Sequence, residues 1–468
     1  MNGRSTHETS ETSRPGHPEA GAALVESLAR LIEAGQRDAV LAQLAALHPA
    51  DIAAVLGHVP FEQAQTLFEW MPLALGSEVL CKLGDNFRGR LLADLAPEQI
   101  VPLVDSLDTD EAADLLADLP PDKAPEVLAS LQDAETVAGL LGYGEETAGG
   151  IMATEYVAVS RTWTVAQARE ELRRHAERVA EALDVFVVDT RGRLEGSVSL
   201  KSLLLSPPDA IIGEIMNPAV VSVHTDVDQE EVARIMDRLD LLSLPVVDSG
   251  RRLVGQITID DVVDVIREEA EEDIQRMSGL SGDEEPTDSL WRMAGLRLPW
   301  LLGGLAGAGL AALVVGSFED ALRQAVILAG FIPIVMATAG NVGIQSSAVA
   351  VQGLASGDVW ADDMPRRLGK EIAVALINGV AAAAVVGLFV MGLSFFADIH
   401  NPERLALTAG IALIAVILLA AAIGAAVPLI LHRFGIDPAL ATGPFITTSN
   451  DILGVLIFFT LASSIYLP

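Results

Sequence analysis

A long uncharged stretch of the chain, residues 405–431, reads LALTAGIALIAVILLAAAIGAAVPLIL. About 20 apolar residues are enough for a helix to cross the ~30 Å hydrocarbon core of a bilayer, so this stretch predicts a transmembrane helix. Other stretches of similar length and character lie at residues 296–318, 325–355, 372–396 and 438–466. The carboxyl-terminal part therefore predicts an α-helical membrane domain with five transmembrane helices.

The charged residues divide the chain near the same point. Of the 64 acidic and 30 basic residues, 54 and 22 precede position 290, which gives a net charge of −32 there and −2 in the membrane part. Nucleic acid is excluded as an obvious partner, because phosphate backbones are bound through clusters of Lys and Arg. An acidic surface instead favours cations. A general compositional bias, with only four lysines in the chain, is the alternative cause.

Basic residues near the ends of the spans predict the orientation of the membrane domain. If the amino terminus is cytoplasmic, the inner flanks carry six bases and the outer loops two, in agreement with the positive-inside rule. The inner bases are Arg292, Arg297, Arg366, Arg367, Lys370 and Arg433, and the outer ones are Arg323 and Arg404. The sequence thus predicts a multi-pass protein of the inner or plasma membrane with its carboxyl terminus outside.

An apolar residue recurs every twelve positions in the amino-terminal part. These residues are Leu47, Val59, Met71, Leu83, Leu95, Leu107, Leu119 and Leu131, and a proline or aspartate follows each within two positions. Each unit predicts one short helix, for example over residues 110–119. Helices of about ten residues are not stable alone in water, so the repeat predicts an all-α superhelix of stacked helices.

Two copies of a strand–turn–strand–helix pattern follow the repeat. The first copy predicts strands at 184–189 and 194–199 and a helix at 200–205; the second predicts strands at 244–248 and 253–258 and a helix at 260–267. An amphipathic helix precedes each hairpin, and the copies lie about 60 residues apart. The duplication predicts a tandem of small α/β modules.

The second module carries VGQITIDD at residues 254–261, which resembles the hydrophobic-Gly-hydrophobic-Thr-x-x-Asp run of CBS domains. The first module keeps Gly196 and Ser199 but has Ser202 in place of the aspartate. In CBS domains that aspartate often contacts a nucleotide ribose. The resemblance therefore implies ATP or another adenine nucleotide as a candidate ligand at Thr258 and Asp261. Many CBS pairs bind no nucleotide and only dimerise, and this alternative stays open.

A strongly acidic helix leads from the modules toward the membrane. Residues 260–273 hold eight acids and one base, Arg267. Acids at positions 261, 264, 268 and 272 share one helix face, where like charges repel by a few tenths of a kcal/mol per pair. Mg²⁺ accepts carboxylate oxygens while it keeps several waters, so the pattern favours a cation sensor beside the pore. A merely solvated acidic face is the alternative.

Polar residues lie within two of the predicted spans. Asn341 and Gln345, four positions apart, share one helix face of the second span. In the fifth span, Asp451 lies about 21 Å along a helix axis from Asp437, which places an acid well inside the bilayer. Such groups are costly in a membrane and usually functional. Pro444 also frees backbone carbonyls that could face an ion. A helix–helix hydrogen-bond cluster with protonated Asp451 is the alternative.

At these residues the chain resembles the MgtE family of magnesium transporters, over nearly its whole length. The most specific pieces are Pro333 with GNVGIQ at 340–345, DPAL at 437–440 and TTSND at 447–451. The resemblance implies a homodimer with one pore, in which Asp451 of each subunit holds a hydrated Mg²⁺. It also implies that cytosolic Mg²⁺ closes the pore by bridging the amino domain, the CBS pair and the acidic helix, which is called the plug helix in that family.

These observations together give a set of predicted domains and site residues. The predicted domains are a disordered tail (1–20), the superhelix (21–146), CBS domains (147–210 and 211–262), the plug helix (263–290) and the pore domain (291–468). The candidate pore residues are Asp451, Asn341, Gly443, Thr447, Gln345 and Asp437. The candidate sensor residues are Asp105, Asp108, Asp228, Glu230, Asp240, Asp261, Asp264, Glu269, Glu272 and Asp273.

The sequence thus predicts a Mg²⁺ channel closed by cytosolic Mg²⁺. It does not rank Mg²⁺ against Co²⁺, Mn²⁺ or Ca²⁺, because one carboxylate per subunit with bound water suits several of them. A receptor that reports Mg²⁺ or nucleotide without transport is the second hypothesis, but it would not need polar residues inside the spans. An enzyme is disfavoured, because no nucleophile–base pair or phosphate loop appears. Chloride channels and cation exporters with CBS pairs place those modules after the membrane part.

Overall fold

A computed structural model describes residues 18–175, 184–280, 284, 288–355, 364–441 and 443–467. Positions 1–17 of the predicted tail lie outside these residues, and the first helix begins at Pro18. The chain divides into two compact units. The first comprises Met1–Ile266 with Glu285–Asp288, and the second comprises Arg267–Glu284 with Ser289–Pro468.

The first unit begins with a run of short helices. They are α1 (Pro18–Glu33), α2 (Arg37–Leu44), α3 (Pro49–His58), α4 (Phe61–Trp70), α5 (Leu73–Cys81), α6 (Asp85–Ala93), α7 (Pro97–Val104), α8 (Thr109–Ala117), α9 (Ala124–Ser130) and α10 (Ala134–Leu140). Helices two apart in the chain pack on each other, as α3 on α5, α5 on α7 and α7 on α9. This stacking confirms the predicted superhelix.

The twelve-residue repeat marks the ends of these helices. Val59, Met71 and Leu131 are the residues at which α3, α4 and α9 end, and each has extended backbone angles. All three are buried in the same apolar core. Each of these residues therefore anchors the turn between two helices in the core. Proline at the first helical position, as in Pro49 and Pro97, begins a helix without losing a needed N–H donor.

The two modules have the same three-stranded sheet. Their elements are β1 (Ala158–Ser160), α11 (Val165–Arg174), β2 (Asp184–Val188), β3 (Leu194–Ser199), α12 (Leu200–Leu205), α13 (Ile212–Ile215), β4 (Val223–His224), α14 (Gln229–Leu239), β5 (Ser243–Val247) and β6 (Leu253–Thr258). β2 pairs parallel to β1 and antiparallel to β3, and β5 pairs likewise with β4 and β6. Sequence reasoning missed β1 and β4, because strands of three and two residues show no alternation.

The glycine of each hydrophobic-Gly-hydrophobic run admits a neighbouring backbone segment. A Cβ atom at Gly196 would lie 2.6 Å from the carbonyl oxygen of Asn217, and one at Gly255 would lie 2.9 Å from that of Ala153. Isolated bridges form beside these glycines, between Ser197 and Asn217 and between Ala153 and Gln256. A side chain at either position would therefore separate the sheet from the segment that crosses it.

One continuous helix, α15 (Ile259–Met277), follows β6. It combines the helix predicted after the second hairpin with the acidic helix predicted to begin at position 263. Its residues up to Ile266 belong to the first unit, and those from Arg267 onward belong to the second.

The second unit contains the membrane helices. They are α16 (Leu290–Ser317), α17 (Glu319–Gln324), α18 (Ile332–Ala355), α19 (Met364–Leu393), α20 (Pro402–Arg433) and α21 (Gly443–Leu461); 3₁₀ turns (Val326–Phe331 and Pro438–Ala441) precede α18 and α21, and a π-helical turn (Ala462–Tyr466) follows α21. Within the described ranges, five helical segments are long and apolar enough to cross a membrane: Leu290–Ser317, Val326–Leu354, Pro365–Leu393, Pro402–Arg433 and Gly443–Tyr466.

The most buried of these helices is α20, which packs against α18, α19 and α21. A Cβ atom at Gly424 of α20 would lie 2.4 Å from the carbonyl oxygen of Gly343 in α18. Small residues at such crossings let membrane helices approach closely. α18, α20 and α21 therefore form the packed centre of the unit and carry the polar residues that the sequence singles out.

Candidate functional site: an intramembrane acid and two acidic clusters

The two polar motifs of the membrane domain pack against each other. Asn450 of α21 is buried, and its Nδ2 donates a hydrogen bond to the carbonyl oxygen of Ala339 in α18 (3.3 Å). A Cβ atom at Gly343 would lie 2.1 Å from Nδ2 of Asn450, so only glycine leaves room for this side chain. The contact places GNVGIQ and TTSND side by side, and it fixes the position of the next residue, Asp451, which is half-buried.

The remaining pore candidates lie around the same helix pair. Asn341 and Gln345 are exposed on one face of α18. Thr447 donates through Oγ1 to the carbonyl oxygen of Gly443 (3.0 Å), and its methyl group would contact a Cβ atom at Gly340 at 3.5 Å. Five of the six candidates therefore come from two packed helices, with Gly443 as the first residue of α21, while Asp437 lies before that helix.

Asp437 belongs to a second group of charged residues, formed with the end of α15. Its Oδ2 forms an ion pair with Arg276, which also pairs with Glu272. Its Oδ1 accepts a hydrogen bond from the backbone N–H of Ala439 (2.7 Å). Burial, and then the charges of Asp437 and Glu269, raise the pKa of Asp273 to about 6. We call Glu269, Glu272, Asp273, Arg276 and Asp437 the Asp437 cluster.

A backbone contact joins the end of α15 to the start of α21. Gly443 has a φ of +55°, and a Cβ atom there would lie 2.9 Å from the carbonyl oxygen of Met277. Gly279 has a φ of +79°, and its Cβ would lie 2.8 Å from Cδ of Pro444. Both positions require glycine because of backbone angle and space together. The plug helix therefore ends directly against the first turn of the helix that carries Asp451.

A second acidic group lies in the first unit, where α8 meets the start of α15. Asp110 is buried, and its Oδ1 has no hydrogen-bond partner among the described residues. Burial, and then the charge of Asp261, raise its pKa well above the usual value. Burial likewise raises the pKa of Asp261 to about 6, with Asp260 and Glu111 adding to the rise against the hydrogen bonds from Thr258. We call Asp110, Glu111 and Asp261 the Asp110 cluster.

Sequence reasoning named Asp105 and Asp108 in this part of the chain but missed Asp110 and Glu111. Asp110 lies three positions before Ala113, which is one of the buried residues of α8. The signal that could have found Asp110 is an acid on the side of an amphipathic helix that faces the core. Such a buried polar group needs a partner, so it can mark a site. Asp105 instead accepts a hydrogen bond from the backbone N–H of Gln132 (3.0 Å).

Lys82 supplies a positive charge beside the Asp110 cluster. Its Nζ lies 3.2 Å from Oδ2 of Asp264. Burial acts to lower the pKa of Lys82, but the charges of Asp264 and Glu111 outweigh it and raise the pKa. The predicted sensor residue Asp264 is therefore already paired with a cation of the chain itself.

Hydrogen bonds hold α8 against the modules. Thr109 donates through Oγ1 to Oε2 of Glu155 (2.9 Å) and accepts from the backbone N–H of Thr154 (2.9 Å). Gln256 of β6 in turn donates through Nε2 to the carbonyl oxygen of Glu155 (2.7 Å). This chain of contacts brings the first turn of α8 to the end of β6, beside which α15 begins.

Three further predicted sensor residues lie at the ends of α14 and have contacts of their own. Asp228 caps α14 by accepting from the backbone N–H of Glu230 (2.9 Å), and Glu230 pairs with Arg234 at 3.7 Å. Asp240 ends α14 in a left-handed conformation. In the part of the chain that the structure describes, no three His, Cys, Asp or Glu side chains converge closely enough to hold a metal ion. Mg²⁺ at these clusters would rely on one or two carboxylates and retained water.

The nucleotide candidates of the second module are engaged with each other. Thr258 donates to Oδ2 of Asp261 through its backbone N–H (3.1 Å) and through Oγ1 (2.7 Å). Since Asp261 also belongs to the Asp110 cluster, its carboxylate has two competing uses. Nucleotide binding at this position stays a prediction.

Five helices that can cross a membrane, preceded in the chain by a helical superhelix and a pair of CBS-type modules, define a multi-pass membrane protein with further amino-terminal domains. Three family profiles match the chain: the MgtE intracellular N domain over residues 47–146, the CBS domain over 148–208 and 212–268, and the MgtE divalent cation transporter domain over 332–461.

Relatives match across almost the whole chain. The magnesium transporter MgtE of Thermus thermophilus is 34% identical over 94% of this chain and 98% of that protein. The magnesium transporter MgtE of Bacillus subtilis is 31% identical over 89% and 92%. A solved structure of the cytosolic domain of the Mg²⁺ channel MgtE in complex with ATP is 36% identical over 52% of this chain and 99% of that chain, with a TM-score of 0.49. The chain belongs to the MgtE family of divalent cation transporters.

Proposed function

We propose that the chain is a channel that lets Mg²⁺ flow down its gradient into the cytosol. The observation that carries the proposal is Asp451, an acid about 12 Å along α21 from its first residue, on a helix packed against α18. Relatives named as magnesium transporters support the same cargo. One carboxylate with bound water suits Mg²⁺, and Co²⁺ is a further candidate cargo.

Two copies of the chain are proposed to enclose one pore. Asn341 and Gln345 are exposed on one face of α18, and exposing amide groups to lipid is costly. A second copy facing this surface would turn it into a water-filled path, in which the Asp451 carboxylates hold one hydrated ion. Gly443 and Thr447 are proposed to line the same path.

Exposed apolar side chains of the first unit also favour a homodimer. Leu204 and Leu205 on α12 are 73% and 76% exposed, and Val263 and Ile266 on α15 are 57% and 47% exposed. Apolar groups exposed in this way often mark protein–protein contacts. A partner copy that covers them would join the α15 helices of two chains, and a movement of one plug helix would be transmitted to the other.

Cytosolic Mg²⁺ is proposed to close the pore through the two acidic clusters. Each cluster brings like charges together in a partly buried place, which raises the free energy of the compact state when no cation is bound. Mg²⁺ offsets this repulsion and shifts the population toward the compact state. The proposed sensor residues are Asp110, Glu111, Asp261, Asp264, Glu269, Glu272 and Asp273. Their closing effect would reach the pore through the contact of Gly279 and Gly443.

The proposed orientation has the amino terminus in the cytosol and the carboxyl terminus outside. Six bases flank the inner ends of the spans and two lie in the outer loops, and five spans place the two termini on opposite sides. Regulation from inside requires this arrangement, because the first unit would then be in contact with cytosolic Mg²⁺.

The test of the pore is a flux measurement with the full chain in liposomes that contain a Mg²⁺-sensitive dye. Asp451→Asn removes the intramembrane charge and keeps the side-chain shape, so Mg²⁺ influx is expected to fall at least about tenfold. Asp398→Asn, at an exposed position between spans, is the matched control and should conduct normally. Wild-type flux through Asp451→Asn would refute the pore assignment. No flux through the unmodified chain at low internal Mg²⁺ would favour the receptor hypothesis.

A further inference from the structure

The turns of the two module hairpins lie side by side in the first unit. The backbone N–H of Leu194 donates to the carbonyl oxygen of Arg251 (3.0 Å), and that of Leu253 donates to the carbonyl oxygen of Gly192 (3.0 Å). A cavity of about 590 Å³ opens beside them, and its wall includes Arg161, Arg193 and Arg251. Three arginines from three separate chain segments therefore converge on one cavity.

Some arginines of the first unit pair with acids. Arg88, for example, pairs with Asp85 at 2.8 Å and with Asp118 at 2.5 Å. Among the described residues, no carboxylate lies within 4 Å of the guanidinium groups of the three cavity arginines. In a chain with a net charge of −34, acids to neutralise them were abundant. Converging like charges are unfavourable unless an anion joins them.

The cavity wall also contains two acids, Asp189 and Glu195, against its three arginines. Oδ1 of Asp189 accepts from the backbone N–H groups of Arg191 (2.7 Å) and Arg193 (2.9 Å), and these bonds shape the turn. The hydrogen bond from Arg193, and then that from Arg191 with the charges of both arginines, lower the pKa of Asp189, so it stays ionised. Glu195 is the other acid of the wall. The positive charge of the wall exceeds the negative charge.

Two features of the backbone concern the placement of Arg251 and Arg161 at the cavity. Arg251 has a φ of +59°, a conformation that a bulky residue rarely adopts and that glycine adopts freely. Because this backbone conformation is unfavourable for arginine, its presence here indicates a function for the arginine side chain. At Gly213, a Cβ atom would lie 2.7 Å from Cγ and 3.0 Å from Nε of Arg161. The glycine therefore leaves room for the Arg161 side chain along the cavity wall.

We propose that this cavity binds a phosphate-bearing anion with two or more phosphoryl groups. Guanidinium forks match phosphate oxygens in pairs, and Arg is the usual residue for such recognition. The volume lies within the range of small-molecule sites. The site is separate from the nucleotide position at Thr258, which lies at the opposite end of β6, about 17 Å from its first residue. The proposal does not depend on Mg²⁺ transport.

The test is a calorimetric titration of pyrophosphate into the full chain in detergent, with EDTA present and ionic strength held constant. The unmodified chain should bind it saturably, with one site per chain. Arg251→Gly removes one guanidinium and relieves the positive φ, so the fold should be at least as stable as before. Loss of one charge-assisted contact should weaken binding about tenfold or more. Arg161→Gln should weaken it similarly.

Arg252→Gln is the matched control, because it removes the same charge from the next residue, which is not part of the cavity wall. It should change the affinity less than about twofold, as expected for a screened surface charge. The proposal is overturned if the unmodified chain shows no saturable binding at millimolar pyrophosphate. It is equally overturned if Arg251→Gly and Arg161→Gln bind like the unmodified chain, or if Arg252→Gln loses as much affinity as they do.

Discussion

Replacing Asp261 by asparagine is expected to stabilise the contact between α8 and α15 in the absence of divalent cations. Burial raises the pKa of Asp261 from 3.8 to about 6, a rise that corresponds to about 3 kcal/mol. Because Asp110 shares this repulsion, we expect a gain of about 1–3 kcal/mol. Asparagine can keep the hydrogen bonds from Thr258, since its Oδ1 accepts as the carboxylate does.

The size of this effect depends on pH. The folded chain holds the proton of Asp261 more tightly than the unfolded chain, so wild-type stability falls as the pH rises from about 4 to about 6. The variant lacks this ionisation. Its advantage over the wild type should be small at pH 4 and full above pH 6. Mg²⁺ at a hundredfold excess over its dissociation constant would contribute about 2.7 kcal/mol to the wild type, and much less to the variant.

Hydrogen exchange of the full chain measures this directly through the amides of α8. In EDTA at pH 7.5, exchange in Asp261→Asn should be slower than in the wild type by about five- to 150-fold, the equivalent of 1–3 kcal/mol. Asp237→Asn, an exposed acid of α14, is the control and should leave α8 unchanged. Faster exchange in the variant at pH 7.5, or Mg²⁺ protection as large as in the wild type, would refute the reasoning.

Three further changes test the regulatory contacts and the helix packing. Lys82→Met removes the built-in cation beside the Asp110 cluster, so the Mg²⁺ concentration that half-protects α8 should fall about fivefold; an unchanged midpoint contradicts this. Gly443→Ala strains a φ of +55° and crowds the end of α15, at a cost of about 1 kcal/mol; liposome influx should then persist at high internal Mg²⁺, and normal inhibition would speak against the contact. Gly343→Ala would place a methyl group 2.1 Å from Nδ2 of Asn450, so the yield of folded protein on gel filtration should drop. Gly303→Ala, which meets open space, is its control, and equal yields from both variants would contradict the packing argument.

Features that depend on residues close together in the chain could be predicted from the sequence. The five spans follow from apolar length, because a helix needs about 20 apolar residues to cross the hydrocarbon core. The superhelix follows from the twelve-residue repeat, since the repeated apolar residues lie in one core or pack against it. The helix α16 begins at Leu290, before the apolar stretch at 296, because its first turns carry Arg292 and are not part of that stretch.

Contacts between distant segments could not be predicted in this way. The sequence showed the acidic face of α15, but it did not show that the acids of this face belong to two different clusters. Asp261 lies with Asp110 in the first unit, and Asp273 lies with Asp437 in the second. Asp437 was predicted as a pore residue, and that stays a prediction. Its ion pair with Arg276 could not be predicted, because no periodicity connects the two residues.

The sequence by itself determined the order of the domains, the membrane helices, the paired modules and the intramembrane acid, because each depends on residues close together in the chain. Only the tertiary structure decided which acids meet, which arginines face one cavity and where the plug helix touches α21. Electrostatic repulsion acts through space over a few ångströms, whatever the separation along the chain. Asp110 and Asp261 lie about 150 residues apart, and only folding brings their charges together.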